Sequence, residues 1–224
     1  MKEIRTIIWD LDETVWFYNE NEPKVLCEKL NIDDLATFEK QYYGMWASLN
    51  EYFKEDVVTY EGIDRFISEK MPILEEYGVP AEELMKAIWD EKFKFVTLNS
   101  EAAEMMKYFS EKGIKNISIT DWIAEHQKDA LKRANLHTYI QEVYGCDNSY
   151  LKCTNKRAEV VLKELIKDEH NQFLMIGDSL ASDIFFANKL GIKSIWYNRK
   201  GKVNTTDNIP TLEVKSLLEL KEIL

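Results

Sequence analysis

The chain has 224 residues, 45% of them hydrophobic and 12% aromatic, which is enough apolar material for a full core and excludes a disordered or fibrous chain. Asp and Glu number 40 against 29 Lys and Arg, giving a net charge of -11. A surface that negative repels phosphate backbones and anionic lipids, so no nucleic-acid or membrane partner is expected.

The first predicted element is residues 4–9, Ile-Arg-Thr-Ile-Ile-Trp, an apolar run that ends at Asp10 and reads as a buried parallel strand. From Trp16 to Val96 no strand of that kind recurs. Helical patterns cover 23–30, 33–54, 59–71 and 80–95, with Pro72 and Gly78-Val79-Pro80 separating the last two. From 99 onward helix and strand alternate. Helix 99–112 stops at Gly113, strand 114–119 follows, then helix 123–134 and a short strand at 142–145. Helix 154–167, strand 172–176, helix 181–190, strand 192–197 and a helix near 214–223 complete the chain. Such alternation implies a parallel sheet with helices on both faces. The expected architecture is a doubly wound α/β core, residues 1–15 and 98–224, with an α-helical insert, residues 16–97, spliced in after the first strand. The insert holds more than half of the aromatic residues, and most of them are expected to form its own core. Trp16, Phe17 and Tyr18 leave the first strand directly and are the best candidates to line a pocket.

Three cysteines (Cys27, Cys146, Cys153) form no CxxC pair, and three histidines (His126, His137, His170) form no HExxH. That usage suits a reducing cytosol and argues against a disulfide framework or a zinc site. No apolar run approaches the ~20 residues of a membrane span. The opening MKEIRTIIWDLDET carries no signal-peptide pattern. The expectation is a cytoplasmic protein with no membrane segment.

In a doubly wound sheet, ligands bind at the carboxyl ends of the strands. Strand 4–9 delivers Asp10-Leu11-Asp12-Glu13-Thr14 there, and strand 114–119 delivers Thr120-Asp121. Strand 172–176 delivers Gly177-Asp178-Ser179, with Asp183 shortly after, and Lys152 and Lys156 flank the start of helix 154–167. Carboxylates so close repel one another unless a cation sits among them, and a hard ion such as Mg²⁺ fits. Mg²⁺ and a Lys together attract a phosphoryl group.

These residues carry a resemblance. Asp10-Leu11-Asp12-Glu13-Thr14 after an apolar strand resembles the first motif of the haloacid dehalogenase (HAD) superfamily, and Ile117-Ser118-Ile119-Thr120 resembles its second. Lys152 resembles the third, and Gly177-Asp178-Ser179-Leu180-Ala181-Ser182-Asp183 the fourth, while the insert corresponds to the family's helical cap. The resemblance implies a phosphatase or phosphomutase, because those branches carry a second Asp where this chain has Asp12. Ester cleavage needs a proton on the leaving oxygen, and a carbon–halogen bond does not. It further implies Asp10 as the nucleophile that forms an aspartyl-phosphate, and Asp12 as acid and then base. Thr120 and Lys152 would hold the phosphoryl oxygens. Asp10, Asp178 and the backbone carbonyl of Asp12 would bind Mg²⁺. Asp183 would support the site by orienting a metal-bound water or Lys152, and Thr14 would brace its loop through the hydroxyl.

Two positions depart from the family pattern. The family's Lys is commonly followed by Pro, and here Cys153 follows Lys152. Lys152 is preferred to its rival because it leaves a short loop before the helix, whereas Lys156 falls in the first turn. Thr120 is followed by Asp121, where related proteins often carry Asn or Gly. Asp121 is read as a cap for helix 123–134, with a contact to the substrate as the alternative. Glu13, Trp16, Met175-Ile176-Gly177-Asp178-Ser179 and Ile195-Trp196-Tyr197-Asn198 also look similar to the pyrimidine 5′-nucleotidase branch. The expected function is Mg²⁺-dependent hydrolysis of a small phosphorylated metabolite, a phosphate monoester. A nucleoside monophosphate is the narrower candidate and a phosphomutase the alternative. A phospho-acceptor signalling module also clusters Asp, Thr and Lys, but it needs no cap and pairs no acid with its acceptor.

Overall fold

Residues Thr6–Trp9 form β1, in a computed structural model that describes residues 3–167 and 169–224. Ile7, Ile8 and Trp9 are wholly buried, as a strand covered on both faces requires. Next come β2 (Trp16–Tyr18), α1 (Glu22–Leu30), α2 (Leu35–Tyr52), α3 (Tyr60–Lys70), α4 (Ile73–Glu76), α5 (Ala81–Phe95) and β3 (Val96–Leu98). Then follow α6 (Ser100–Glu111), β4 (Lys115–Ile119), α7 (Ala124–Arg133), β5 (Glu142–Tyr144) and α8 (Asn155–Val161). The chain ends with β6 (Phe173–Gly177), α9 (Phe185–Leu190), β7 (Lys193–Tyr197), β8 (Leu212–Val214) and α10 (Leu220–Ile223).

Six strands pair in the order β5-β4-β1-β6-β7-β8, all parallel. From β1 the chain steps outward through β4 and β5, then returns to the other side of β1 for β6, β7 and β8. This is the Rossmann-like, doubly wound order, and its reversal point lies between β1 and β6, where the carboxyl ends open a crevice. Ile8, Ile117, Ile119 and Met175 point to one face and pack on Ala158 and Val161 of α8 and on Phe186, Ala187 and Leu190 of α9. Trp9 points to the other, with its ring 6.2 Å from that of Phe109 on α6. Its indole N–H donates to Asn116 Oδ1 at 2.9 Å, so these two buried groups of β1 and β4 satisfy each other.

The chain divides into two compact units, one of Met1–Phe17, Leu98–Cys146 and Tyr150–Leu224, the other of Tyr18–Thr97 and Asp147–Ser149. The first contains the six-stranded sheet. The second is helical, and its helix starts follow from its sequence. Pro23 opens α1, Asp34 accepts from the Thr37 N–H at 3.0 Å to cap α2, and Thr59 accepts from the Gly62 N–H at 3.0 Å to cap α3. Its aromatic residues largely pack on each other. Phe38 stacks on Tyr42 at 5.7 Å, and Tyr52, Phe53 and Phe66 form a cluster with centroids 4.7 to 5.5 Å apart.

Several elements differ from the sequence expectation. β2 and β3 pair with each other at the two ends of the insert, each too short for an alternation to register. The predicted helix near 214–223 is present from Leu217 on, as a 3₁₀ turn at Leu217–Glu219 and α10, and the unpredicted β8 precedes it and adds to β7. Ser216 and Glu219 form a capping box that starts the helical turn only after the strand has ended. Within the predicted helices 154–167 and 181–190, Leu162–Ile166 and Leu180–Ile184 are π-helical. Over so few residues the apolar pattern does not separate that turn from an α-helical one. No helix among the described residues is long and apolar enough to cross a membrane.

Candidate active site

The crevice between β1 and β6 is built by three segments. The N–H of Asp10 still donates to the Ile176 carbonyl at 2.9 Å, so Asp10 is fixed by the last bond of the β1–β6 pairing. After Gly177 come Asp178 and Ser179, and then the π-helical turn that carries Asp183. Lys152 arrives from the loop between β5 and α8. Its ammonium donates to Asp10 Oδ1 and to Asp183 Oδ1, each at 2.6 Å, and only 2% of the side chain is exposed. The Ser179 N–H donates to Asp183 Oδ2 at 3.0 Å, so both oxygens of Asp183 are engaged. Lys156, by contrast, lies in the first turn of α8 with its ammonium over the Tyr150 ring, 5.3 Å from the centroid.

Gly177 matters here for its missing side chain. A methyl group at that position would overlap the Asp183 carboxyl. Gly177→Ala must therefore displace Asp183 or the turn that holds it. The expected loss is about 1–3 kcal/mol in urea unfolding, the usual cost of overpacking. An unchanged midpoint would show that Asp183 can move without penalty.

Carboxylate oxygens of Asp10, Asp178 and Asp183 lie within 4.8 Å of one another. Burial, and then the charge of Asp183, pushes the Asp10 carboxyl upward against the pull of Lys152. Burial, and then Asp10, raises Asp178 to about 7. Asp183 is raised by burial, against the pull of Lys152. Burial works against the Lys152 ammonium, but Asp10, Asp183 and Asp121 outweigh it and hold the group well above the ordinary lysine range. Three carboxylates around one ammonium leave two negative charges unbalanced when all are ionised. An all-oxygen donor set with that charge fits a hard divalent cation.

Asp12 sits beside this cluster. Its Oδ1 accepts from the Trp16 indole N–H at 2.7 Å and its Oδ2 from the Gln127 amide at 2.7 Å. The same amide nitrogen lies 3.2 Å from Thr120 Oγ1. Thr120 follows β4, and its backbone N–H donates to the Tyr144 carbonyl at 3.0 Å. Trp16 thus has a polar task as well as a packing one. Sequence reasoning did not find Gln127. Its only signal is an amide in the stripe Gln127, Ala130, Leu131 that α7 buries, which costs free energy unless the amide is bonded.

Two expectations are corrected. Asp121 does not cap α7, whose cap position is Ile123 with no side-chain bond. Asp121 instead accepts from the Lys152 backbone N–H at 2.6 Å and from the Ser182 hydroxyl at 2.7 Å, tying the loop after β4 to the loop that carries Lys152 and to the π-helical turn that carries Asp183. The helix begins two residues later than a cap at Asp121 needs, so the carboxylate reaches sideways. Thr14 does not brace its loop through the hydroxyl, which is buried with no hydrogen-bond partner. The loop is held by backbone instead, since the Thr14 carbonyl accepts from Asn99 Nδ2 at 2.8 Å. Thr14→Val, of the same shape, is expected to leave the thermal midpoint unchanged or to raise it, because a buried hydroxyl without a partner is itself a cost. A clear drop would show that the hydroxyl has a bonded role.

The loop after Asp12 turns through Glu13, which adopts the left-handed backbone conformation at φ 61°. Its carboxylate is paired by Arg199 at 2.9 Å and Lys200 at 3.0 Å, both from the end of β7, and the Arg199 guanidinium lies 3.9 Å above the Phe17 ring. On the same strand, Trp196 donates its indole N–H to the Asp178 carbonyl at 2.9 Å.

The haloacid dehalogenase-like hydrolase family profile matches residues 4–191. YfnB of Bacillus subtilis, named as a HAD-hydrolase, is 26% identical over 235 residues, covering 100% of this chain and 97% of that protein. Its magnesium-bound crystal structure superposes with a TM-score of 0.77 at 22% identity, over 99% of each chain. The pyrimidine 5′-nucleotidase PynA of Streptococcus pneumoniae is 24% identical over 237 residues, covering 97% of this chain and 94% of that protein. The 2-haloacid dehalogenase of Pseudomonas syringae shares the fold at a TM-score of 0.64 and 21% identity, over 98% of this chain and 97% of its own. With a family match that runs from β1 to the end of α9, this chain belongs to the haloacid dehalogenase-like hydrolases.

Proposed function

We propose that this hydrolase is a Mg²⁺-dependent phosphatase that cleaves a small phosphate monoester through an aspartyl-phosphate on Asp10. Phosphatases and dehalogenases share the fold, so the fold does not choose between them. The observation that carries the reading is Asp12, two residues past Asp10, with a carboxylate held on both oxygens by Trp16 and Gln127. Cleavage of a carbon–halogen bond has no use for a positioned acid there, and cleavage of an ester does.

In this reading Lys152 and Thr120 hold the phosphoryl oxygens, and the ammonium offsets the repulsion between Asp10 and the incoming dianion. An Asp10 oxygen attacks phosphorus in line, the bond to the leaving oxygen breaks, and Asp12 supplies the proton that oxygen takes. In the second step Asp12 takes a proton from water, which attacks the aspartyl-phosphate and releases phosphate. Mg²⁺, held by Asp10, Asp178 and the Asp12 carbonyl, would neutralise charge on the phosphoryl oxygens. The carboxylate cluster and the magnesium-bound structure of YfnB support that ion. Asp183 acts through Lys152, which it holds against Asp10.

The name of PynA supports a nucleoside monophosphate as the narrower substrate class. Hydrolase and nucleotidase relatives favour water over a second sugar hydroxyl as acceptor, and so a phosphatase over a phosphomutase. We assign residues 1–15 and 98–224 the part of the core domain and residues 16–97 that of the cap. A reducing, cytoplasmic setting is consistent with three cysteines that form no disulfide.

The test is phosphate release from a panel of phosphorylated metabolites that includes nucleoside monophosphates. Activity should vanish with EDTA and return with Mg²⁺, while Ca²⁺, which prefers a looser shell of more ligands, should substitute poorly. Full activity after chelation, or release of halide from 2-haloacids in place of phosphate, would overturn the reading.

A further inference from the structure

The Gln127 side chain is wholly buried, and both hydrogens of its amide nitrogen have a place to go. One faces Asp12 Oδ2 at 2.7 Å and the other Thr120 Oγ1 at 3.2 Å. These are two groups to which the proposed reaction gives separate tasks, one on the leaving oxygen and one on the phosphoryl group. An amide nitrogen only donates, so Thr120 accepts from it and keeps its own O–H to donate. The backbone N–H of Thr120 is spent on Tyr144, so the hydroxyl is what this residue offers the crevice. On the far side of Asp12, Trp16 holds Oδ1 at 2.7 Å, so the carboxylate cannot rotate without breaking this part-buried bond.

We infer that Gln127 is a positioning residue that sets the Asp12 carboxylate and the Thr120 hydroxyl together, registering proton transfer at the leaving oxygen with recognition of the phosphoryl group. The inference rests on the reading of Asp12 as the acid and base. Its two arms have different signatures. The arm to Asp12 matters only where the leaving group needs a proton, so it affects alkyl phosphates and spares p-nitrophenyl phosphate. The arm to Thr120 acts on the phosphoryl group and so affects both esters, but only while the Thr120 hydroxyl is present.

The experiment is single-turnover cleavage of an alkyl phosphate and of p-nitrophenyl phosphate by Gln127→Met, Thr120→Val and the double variant, with Mg²⁺ present. Gln127→Glu serves as a second variant that keeps the shape of Gln127 and removes the same donor nitrogen, and circular dichroism checks the fold of each. Gln127→Met is expected to slow the alkyl ester by roughly 10- to 100-fold, a part of the ~10²–10⁴ a positioned acid supplies. The loss on p-nitrophenyl phosphate should be several-fold smaller. In the Thr120→Val background, Gln127→Met should cost nothing further on p-nitrophenyl phosphate while still slowing the alkyl ester. Equal losses on both esters, or losses that simply multiply in the double variant, would overturn the inference and leave Gln127 a packing residue. Asp12→Asn is measured alongside. If it discriminates between the esters and the Gln127 variants do not, only the inference fails. If it does not discriminate, the reading of Asp12 fails and the inference with it.

Discussion

Asp10→Asn is expected to reduce phosphate release to below about 1% of wild type, since an amide is nearly isosteric with the carboxylate but does not attack phosphorus. The fold should survive, because Asp183 still pairs the buried Lys152 ammonium at 2.6 Å when the Asp10 charge is gone. The substitution also removes one of three crowded carboxylates, so the thermal midpoint is expected to hold or rise. Steady-state turnover and thermal unfolding measured on one preparation separate the two effects. Turnover well above that level with an intact fold would remove Asp10 from the role of nucleophile.

Lys152→Met should damage both activity and stability. The ammonium is the shared partner of two buried carboxylates, and leaving such charges unpaired costs about 3–5 kcal/mol. The substitution also removes the charge that balances the phosphoryl oxygens, which is worth roughly 10²–10³ in rate by analogy with other preorganised donors. The stability deficit should depend on pH, and its sign is fixed. Asp10 and Asp183 are already raised above their unfolded values, and without the ammonium both rise further. A raised acid takes up a proton on folding, so the stability linked to it is present in acid and lost as pH climbs through the folded value. Urea unfolding of the variant should therefore improve from weakly alkaline to acidic buffer. Lys156→Ala, which loses a contact with the Tyr150 ring, should keep wild-type turnover within about twofold. The reverse ranking of the two lysines would move the phosphate-holding role to Lys156.

The sheet and the groups on its edge were legible because each announces itself locally. Ile7 to Trp9 is a continuous apolar run ending in Asp10, and Phe173 to Gly177 is another ending next to Asp178. Parallel strands must end so, since both faces are covered and only the strand end reaches solvent. What was missed depends on contacts distant in sequence. Gln127 lies far along the chain from Asp12, and only the pairing of β4 with β1 brings α7 to the loop after β1. Asp121 was misread for the same reason. Its local surroundings suggest a helix cap, and its partners, the Lys152 N–H and the Ser182 hydroxyl, come from the loop before α8 and from the π-helical turn after β6. Thr14 shows the opposite error, where a family role was given to a hydroxyl that the fold buries without a partner. β8 and the two short strands at the ends of the insert were missed, since three residues alone carry too little pattern to separate strand from loop; β5, equally short, is legible only from its place between helices 123–134 and 154–167.

The central claim, a covalent phosphoryl group on Asp10, has a direct measurement. Asp12→Ala should still transfer phosphoryl from p-nitrophenyl phosphate, whose leaving group needs little protonation, and should then stall because no base activates water. Acid quenching during the burst, followed by proteolysis and mass spectrometry, is predicted to find a hydroxylamine-labile phosphoryl adduct on the peptide that contains Asp10, with fragmentation placing it on that residue. A p-nitrophenol burst with no adduct on Asp10, or with the adduct on another side chain, would contradict the account.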